Sequence, residues 1–402
     1  MSRTRPVRLP CDSALMATTQ DTTITPFRID IPQGNVDDLT SRLRATRMPA
    51  PLPGDDWDTG IPSGYLQELV SAWADEFDWR AVEVRLNEIP QFTTVIDGQR
   101  IHFAHIRSTV PDATPVILTH GWPGSFLEFL HLIGPLTDPE SHGGERADAM
   151  HLIIPSLPGF GFSTPLLSAG WTTTHIAETW IHLMDRLGYD RFAAHGGDLG
   201  ATVSPEIARV APERVIGVHV NGALSFPSDV GEGVREAMSA LDQDRLNRVT
   251  AFTREESGYI AIQSTRPGLI GIALADSPAA QLAWMLDKFR AWTWPLETPP
   301  DQILGREWIL TNASLYRLTA SGGSSAYVGY AQSTWGAEPR NSEVPTAAIQ
   351  FAHDVGIHSQ STQANTIVRW NDIGDRGGHF ASLEEPQILI NDLRSFLRDL
   401  KQ

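Results

Sequence analysis

A single cysteine, Cys11, stands in 402 residues, so the chain has no internal disulfide and no cysteine-based zinc site. No apolar run approaches the ~20 residues of a membrane-spanning helix. Arg3, Arg5 and Arg8 near the start are not followed by an apolar segment, which argues against a signal peptide. The HExxH zinc pattern is missing, and no GxGxxG opens a helix after the first strand, so neither a metal nor a dinucleotide cofactor is expected. Positive charge is in deficit: 31 basic against 48 acidic side chains leave a formal charge of −17, which excludes nucleic acid and anionic membrane surfaces as natural partners. These absences favour a cytoplasmic protein that acts on a small molecule without a cofactor. A homodimer is left open.

With 41% hydrophobic and 20% charged residues, the chain can bury a large core unaided. Residues 1–23 read as a disordered tail, within which Met16 offers an alternative start. Residues 24–95 read as a separate N-terminal meander: a short strand around Pro26–Pro32, then helices around Val36–Leu43, Tyr65–Ala74 and Trp79–Leu86. From about 96 to 225 strands and helices alternate, in the rhythm of a mostly parallel, doubly wound α/β sheet. Between about 226 and 340 the pattern turns helical, as expected of a cap inserted into the core. The sheet then resumes over 341–402 and closes with a helix carrying Leu389, Leu393, Phe396 and Leu400 on one face.

The stretch Ala194-His195-Gly196-Gly197-Asp198-Leu199-Gly200-Ala201 follows an apolar run and opens a helix. It has the small-x-nucleophile-x-small pattern of a strand-turn-helix elbow, with aspartate where serine is usual. The exchange changes the chemistry. Serine attacking a saturated carbon makes an ether that water cannot open. A carboxylate makes an alkyl ester, whose carbonyl water can attack, so Asp198 points to epoxides or alkyl halides. In open α/β sheets, ligands bind beyond the carboxyl ends of the strands. Asp354 and His379 both follow strands, and the order nucleophile, acid, histidine matches an α/β-hydrolase triad. His379 would activate water, and Asp354 would hold its imidazole, with Asp375 as the rival acid. Backbone N–H groups of Trp122 and Leu199 are the candidate oxyanion donors. Ring opening of an epoxide also needs an acid, and Tyr259, Tyr327 and Tyr330 in the helical stretch can supply a phenol.

These motifs together resemble the microsomal-type epoxide hydrolases, from about residue 24 to 400. The resemblance is carried by His120-Gly121-Trp122-Pro123-Gly124-Ser125, the His195–Gly200 elbow, Glu256-Ser257-Gly258-Tyr259 with Gln263, and Gly377-Gly378-His379-Phe380. It implies the α/β-hydrolase fold, Asp198 as nucleophile, His379 as base, Asp354 as acid and Tyr259 as one of two ring-opening acids. Trp122, Leu199 and Gln263 are the expected substrate contacts, and the substrate is expected to be a bulky apolar or aromatic epoxide. Two departures stand out. Leu199 replaces a tryptophan. A gapless comparison puts Gly329 where the family keeps its second tyrosine, with Tyr330 about 100° away around a helix and Tyr327 about 160° away on the other side. Tyr330 is preferred, with Tyr327 as its rival. The lack of a membrane anchor and the high Ala, Arg, Gly and Trp content suggest an actinobacterial member of secondary metabolism, of the antibiotic (enediyne) biosynthesis kind.

Bland readings sit beside these. His120, His195 and His353 are expected to hydrogen-bond within the core rather than bind metal, and Arg42–Arg47 to form a solvated helix face. A haloalkane or haloacid dehalogenase would share Asp198 and His379, and an inactive binding protein would share the fold.

Overall fold

The computed structural model describes residues 22–228, 230–331 and 340–401. The expected tail, with Cys11 and Met16, lies almost wholly outside the described residues. The strands are β1 (Thr25–Phe27), β2 (Gln91–Ile96), β3 (Gln99–Ile106), β4 (Thr114–Thr119), β5 (Met150–Pro155), β6 (Phe192–Gly196), β7 (Val215–Asn221), β8 (Pro345–Gln350) and β9 (Thr366–Asp372). They form one sheet in the order β1-β2-β3-β5-β4-β6-β7-β8-β9. The pairings from β1 to β5 are antiparallel, and the rest are parallel.

Side-chain alternation along the central strands divides the core in two. Ile117 and Ile153 pack with Trp180, Leu183 and Val203 of the helices Thr173–Arg186 and Leu199–Val210. Val116, Leu118, Leu152 and Ile154 face the other way, against Leu132, Leu136 and the closing helix Pro386–Asp399 through Leu389, Leu393 and Phe396. With both faces covered, β5 is buried at all six positions, which is why, apart from His151, it reads as an apolar run.

The sheet starts one hairpin earlier than the sequence pattern implied. β2 pairs with both β1 and β3, so the alternation read from about 96 misses a strand that joins the N-terminal region to the sheet. The expected strand over Pro26–Pro32 is shorter. Beyond Phe27 the chain leaves the sheet, and Ile29 and Ile31 bond instead to Asn87 and Glu83.

Between β7 and β8 the chain makes a long helical insertion that includes Ala240–Ala251, Gly258–Thr265, Pro267–Asp276, Pro278–Trp292 and Arg306–Leu318. The N-terminal helices Gln33–Arg44 and Ser63–Asp75 grip it. Trp73 Nε1 donates to Ser314 Oγ (2.8 Å) and the Tyr65 hydroxyl to Asp301 (2.8 Å). Arg42, expected on a solvated face, also reaches Asp276 of the insertion at 2.9 Å. No single helix among the described residues is long and apolar enough to cross a membrane.

Candidate active site

β6 turns into the helix Leu199–Val210 within two residues, and the turn is too tight for ordinary side chains. A Cβ on Gly200 would lie 1.9 Å from the Thr119 carbonyl oxygen at the end of β4, and one on Gly196 would lie 2.6 Å from the Gly200 backbone. Between these glycines Asp198 is held at φ +53°, ψ −118°. A non-glycine residue there costs about 1–3 kcal/mol, which the packed strand and helix sustain. The strain projects the carboxylate past the strand ends.

Two groups meet that carboxylate. The Trp122 backbone N–H donates to Asp198 Oδ1 at 2.9 Å, and His379 Nε2 lies 3.4 Å from Oδ2. Gly121 permits the first contact, because a Cβ there would lie 2.2 Å from Oδ1. The Leu199 N–H makes no hydrogen bond to the resting carboxylate. His379 is held through its backbone: its N–H donates to the Trp292 carbonyl (3.0 Å), and its carbonyl accepts from Asn221 Nδ2 (3.3 Å). Burial opposes charge on its imidazole. The hydrogen bond and charge of Asp198, with the charges of Asp354 and Glu128, outweigh burial and raise its pKa.

Asp354 is buried, and its Oδ2 accepts from the Phe351 N–H at 2.7 Å. Burial pushes its carboxyl up to about 6, and it acts on His379 through charge rather than a direct hydrogen bond. Asp375, the rival acid, faces solvent and pairs with Arg376.

Two phenols lie close enough for the Asp198 charge to act on them. The Tyr330 and Tyr259 hydroxyls are 3.4 Å apart. The Trp122 indole stacks on Tyr259 with ring centroids 5.2 Å apart and meets Tyr330 edge-on at 6.0 Å. Burial first, and then neighbouring charge including that of Asp198, raises both phenol pKa values. Tyr327 is only partly buried, at the edge of the core. The segment Tyr327–Ala331 is a π-helical turn. Such a turn absorbs one extra residue, which explains how a tyrosine one place out of register reaches this position. Gln263 is fully buried: its Oε1 accepts from Trp284 Nε1 (2.8 Å), while its Nε2 has no partner among the described residues.

Sequence patterns did not single out Glu128. Its Oε1 lies 1.5 Å from where a Gly124 Cβ would stand, and burial pushes its carboxyl up to about 8. The glycine after Pro123 was the available signal. His120 is hydrogen-bonded to Gly121 O and Leu157 N, His353 to Ala291 O, and His195 to His219. Among the described residues, no three His, Cys, Asp or Glu side chains gather as a metal site.

An elbow that thrusts an acidic side chain toward an imidazole at the strand ends of a mostly parallel sheet places the chain among the α/β-hydrolase-fold enzymes. Residues 114–257 match the family described as alpha/beta hydrolase fold, and residues 24–129 match that described as epoxide hydrolase N terminus. A Stigmatella aurantiaca protein named "Putative epoxide hydrolase" is 41% identical over 94% of this chain and 86% of its own length. Epoxide hydrolase 1 of Sus scrofa is 33% identical over 96% and 91%. The crystal structure of juvenile hormone epoxide hydrolase from Bombyx mori superposes with a TM-score of 0.86, at 31% identity over 95% of this chain and 96% of that one. The chain belongs to the epoxide hydrolase family.

Proposed function

We propose that this protein opens epoxides to vicinal diols through an alkyl ester on Asp198. The observation that carries the reading is the double contact of that carboxylate, Oδ1 on the Trp122 N–H and Oδ2 facing His379 Nε2, with the Tyr259–Tyr330 pair within reach of its charge. Asp198 attacks an epoxide carbon, the carbon–oxygen bond breaks, and the oxygen takes a proton from a phenol. Ester formation removes the Asp198 charge, the main influence that keeps the imidazole protonated, so His379 becomes a competent base. Water, losing a proton to His379, then attacks the ester carbonyl. The oxyanion is met by the Trp122 and Leu199 N–H groups, and Asp354 stabilises the imidazolium.

The helical insertion serves as the cap, and the N-terminal region braces it. Trp122, Leu199, Gln263 and Trp292 wall the site, which suits a bulky apolar or aromatic epoxide. A cytoplasmic role in bacterial secondary metabolism is part of this reading, supported by composition alone. Leu199 offers no side-chain N–H for a departing halide, which disfavours dehalogenation.

A single turnover in 18O water tests the mechanism. The first diol released is expected to carry light oxygen from Asp198, and label arriving directly from solvent refutes the ester. Incubation with styrene oxide and 1-bromobutane tests the substrate class: diol is expected, and bromide release without diol overturns the reading.

A further inference from the structure

Of the 31 basic side chains, only Lys288 and Lys401 are lysines. Lys401 is exposed near the C-terminus. Lys288, on the insertion helix Pro278–Trp292, is only 3% exposed. Its ammonium meets three acceptors: the Glu256 carboxylate (2.5 Å), the Glu256 carbonyl (3.2 Å) and the Asp287 carboxylate (2.9 Å). It lies 5.1 Å from the centroid of the Tyr259 ring and 5.9 Å from that of Trp292. Glu256 ends the π-helical turn Phe252–Glu256, three residues before Tyr259. One buried cation therefore ties the approach to Tyr259 to the neighbouring helix and lies against its aromatic ring.

A buried charge is costly, and an apolar side chain would pack there more cheaply. Burial and the charges of Asp198 and Glu256 oppose the Tyr259 phenolate, and only the hydrogen bond from Tyr330 favours it among these influences. We infer that Lys288 is a positioning residue for epoxide opening, which fixes the Tyr259 ring and stabilises the phenolate that forms as the phenol protonates the leaving oxygen. The inference rests on Tyr259 being a ring-opening acid. In this step the Tyr259 O–H bond breaks, the alkoxide gains the proton, and the electron pair remains on the phenolate beside the ammonium. Of the two protons of the hydrolytic water, one ends on the second hydroxyl of the diol and the other returns to Tyr259.

Rapid-quench single turnovers on styrene oxide separate ester formation from ester hydrolysis. K288M is expected to slow ester formation about tenfold or more, the worth of a desolvated cation against an aromatic ring. Ester hydrolysis should stay within about twofold, since it does not draw on the phenol as acid. K288R, which keeps the charge, should restore most of the rate. Equal slowing of both steps, or K288R behaving like K288M at an unchanged melting temperature, overturns the inference. Should K288M not fold, K288Q carries the same expectation. A wild-type enzyme that forms no ester on Asp198 removes the proposed mechanism itself. Wild-type ester formation matched by K288M removes only the role of Lys288.

Discussion

Asp354 and His379 illustrate how burial and charge divide labour between single residues. Burial holds the Asp354 carboxyl at about 6, so near neutral pH it is ionised yet close to its titration. The rate of ester hydrolysis is expected to fall as pH drops through about 6, because the protonated acid no longer stabilises the imidazolium. Asp354→Asn should slow this step about a hundredfold or more. It should also remove the Asp354 titration from the acid limb and leave that of His379, whose pKa falls because the Asp354 charge is one of those that raise it. A pH profile of single-turnover hydrolysis checks both statements. Asp198, Asp354 and His379 stood out in the sequence because each follows a strand and the glycines mark the turns. Glu128 and Lys288 did not: Gly124 hints only that a close neighbour fills its space, and nothing near Lys288 in the chain reveals what lies across from it.

At the level of elements, the turn that carries Trp122 is latched from above. Asn312 Nδ2, on the insertion helix Arg306–Leu318, donates to the Pro123 carbonyl (2.8 Å), and its Oδ1 accepts from Ser125 Oγ (2.8 Å). Tyr316 on the same helix donates to the Gly124 carbonyl (2.6 Å). Asn312→Ala removes two fully buried hydrogen bonds and should cost about 2–4 kcal/mol in urea unfolding. It should lower kcat more than it raises KM, because the Trp122 N–H loses its support. The second tyrosine belongs to this scale too. Regular helical geometry separates Tyr330 from the expected position by about 100°, yet within the π-helical turn its hydroxyl stands 3.4 Å from that of Tyr259, which favours Tyr330 over Tyr327 as the second acid we propose. Sequence periodicity does not report a local widening of a helix.

Across the whole molecule, buried titratable groups set an optimum of stability with pH. Burial holds His102 at about 3 and His105 and His120 at about 4, and pushes His195 well below the usual histidine range; His151 and His353 are lowered as well. The unfolded chain binds protons at these sites that the folded protein refuses, so stability rises with pH until about 6.5. Glu128 at about 8 and Glu384 at about 7 work in the opposite sense. The folded protein keeps their protons after the unfolded chain has lost them, so their contribution falls with rising pH up to about 8. The thermal midpoint is expected to peak near pH 6.5 and to decline toward pH 8. Glu128→Gln should flatten that decline. Scanning calorimetry across pH 4.5 to 8.5 checks this.

The linear chain by itself determined the layered α/β plan and the kind of reaction. Apolar alternation dictates which strand faces are covered, and replacing a hydroxyl by a carboxylate at one turn changes which bonds can be attacked and released. Only the tertiary structure decided how the parts act together: which phenol stands beside Tyr259, that Asp354 rather than Asp375 lies buried within reach of His379, and that the N-terminal strands join the main sheet. The reason is range. Periodicity and bond chemistry are properties of neighbours along the chain. Burial, charge and hydrogen bonding act through space, between residues as far apart in the sequence as Tyr259 and Tyr330.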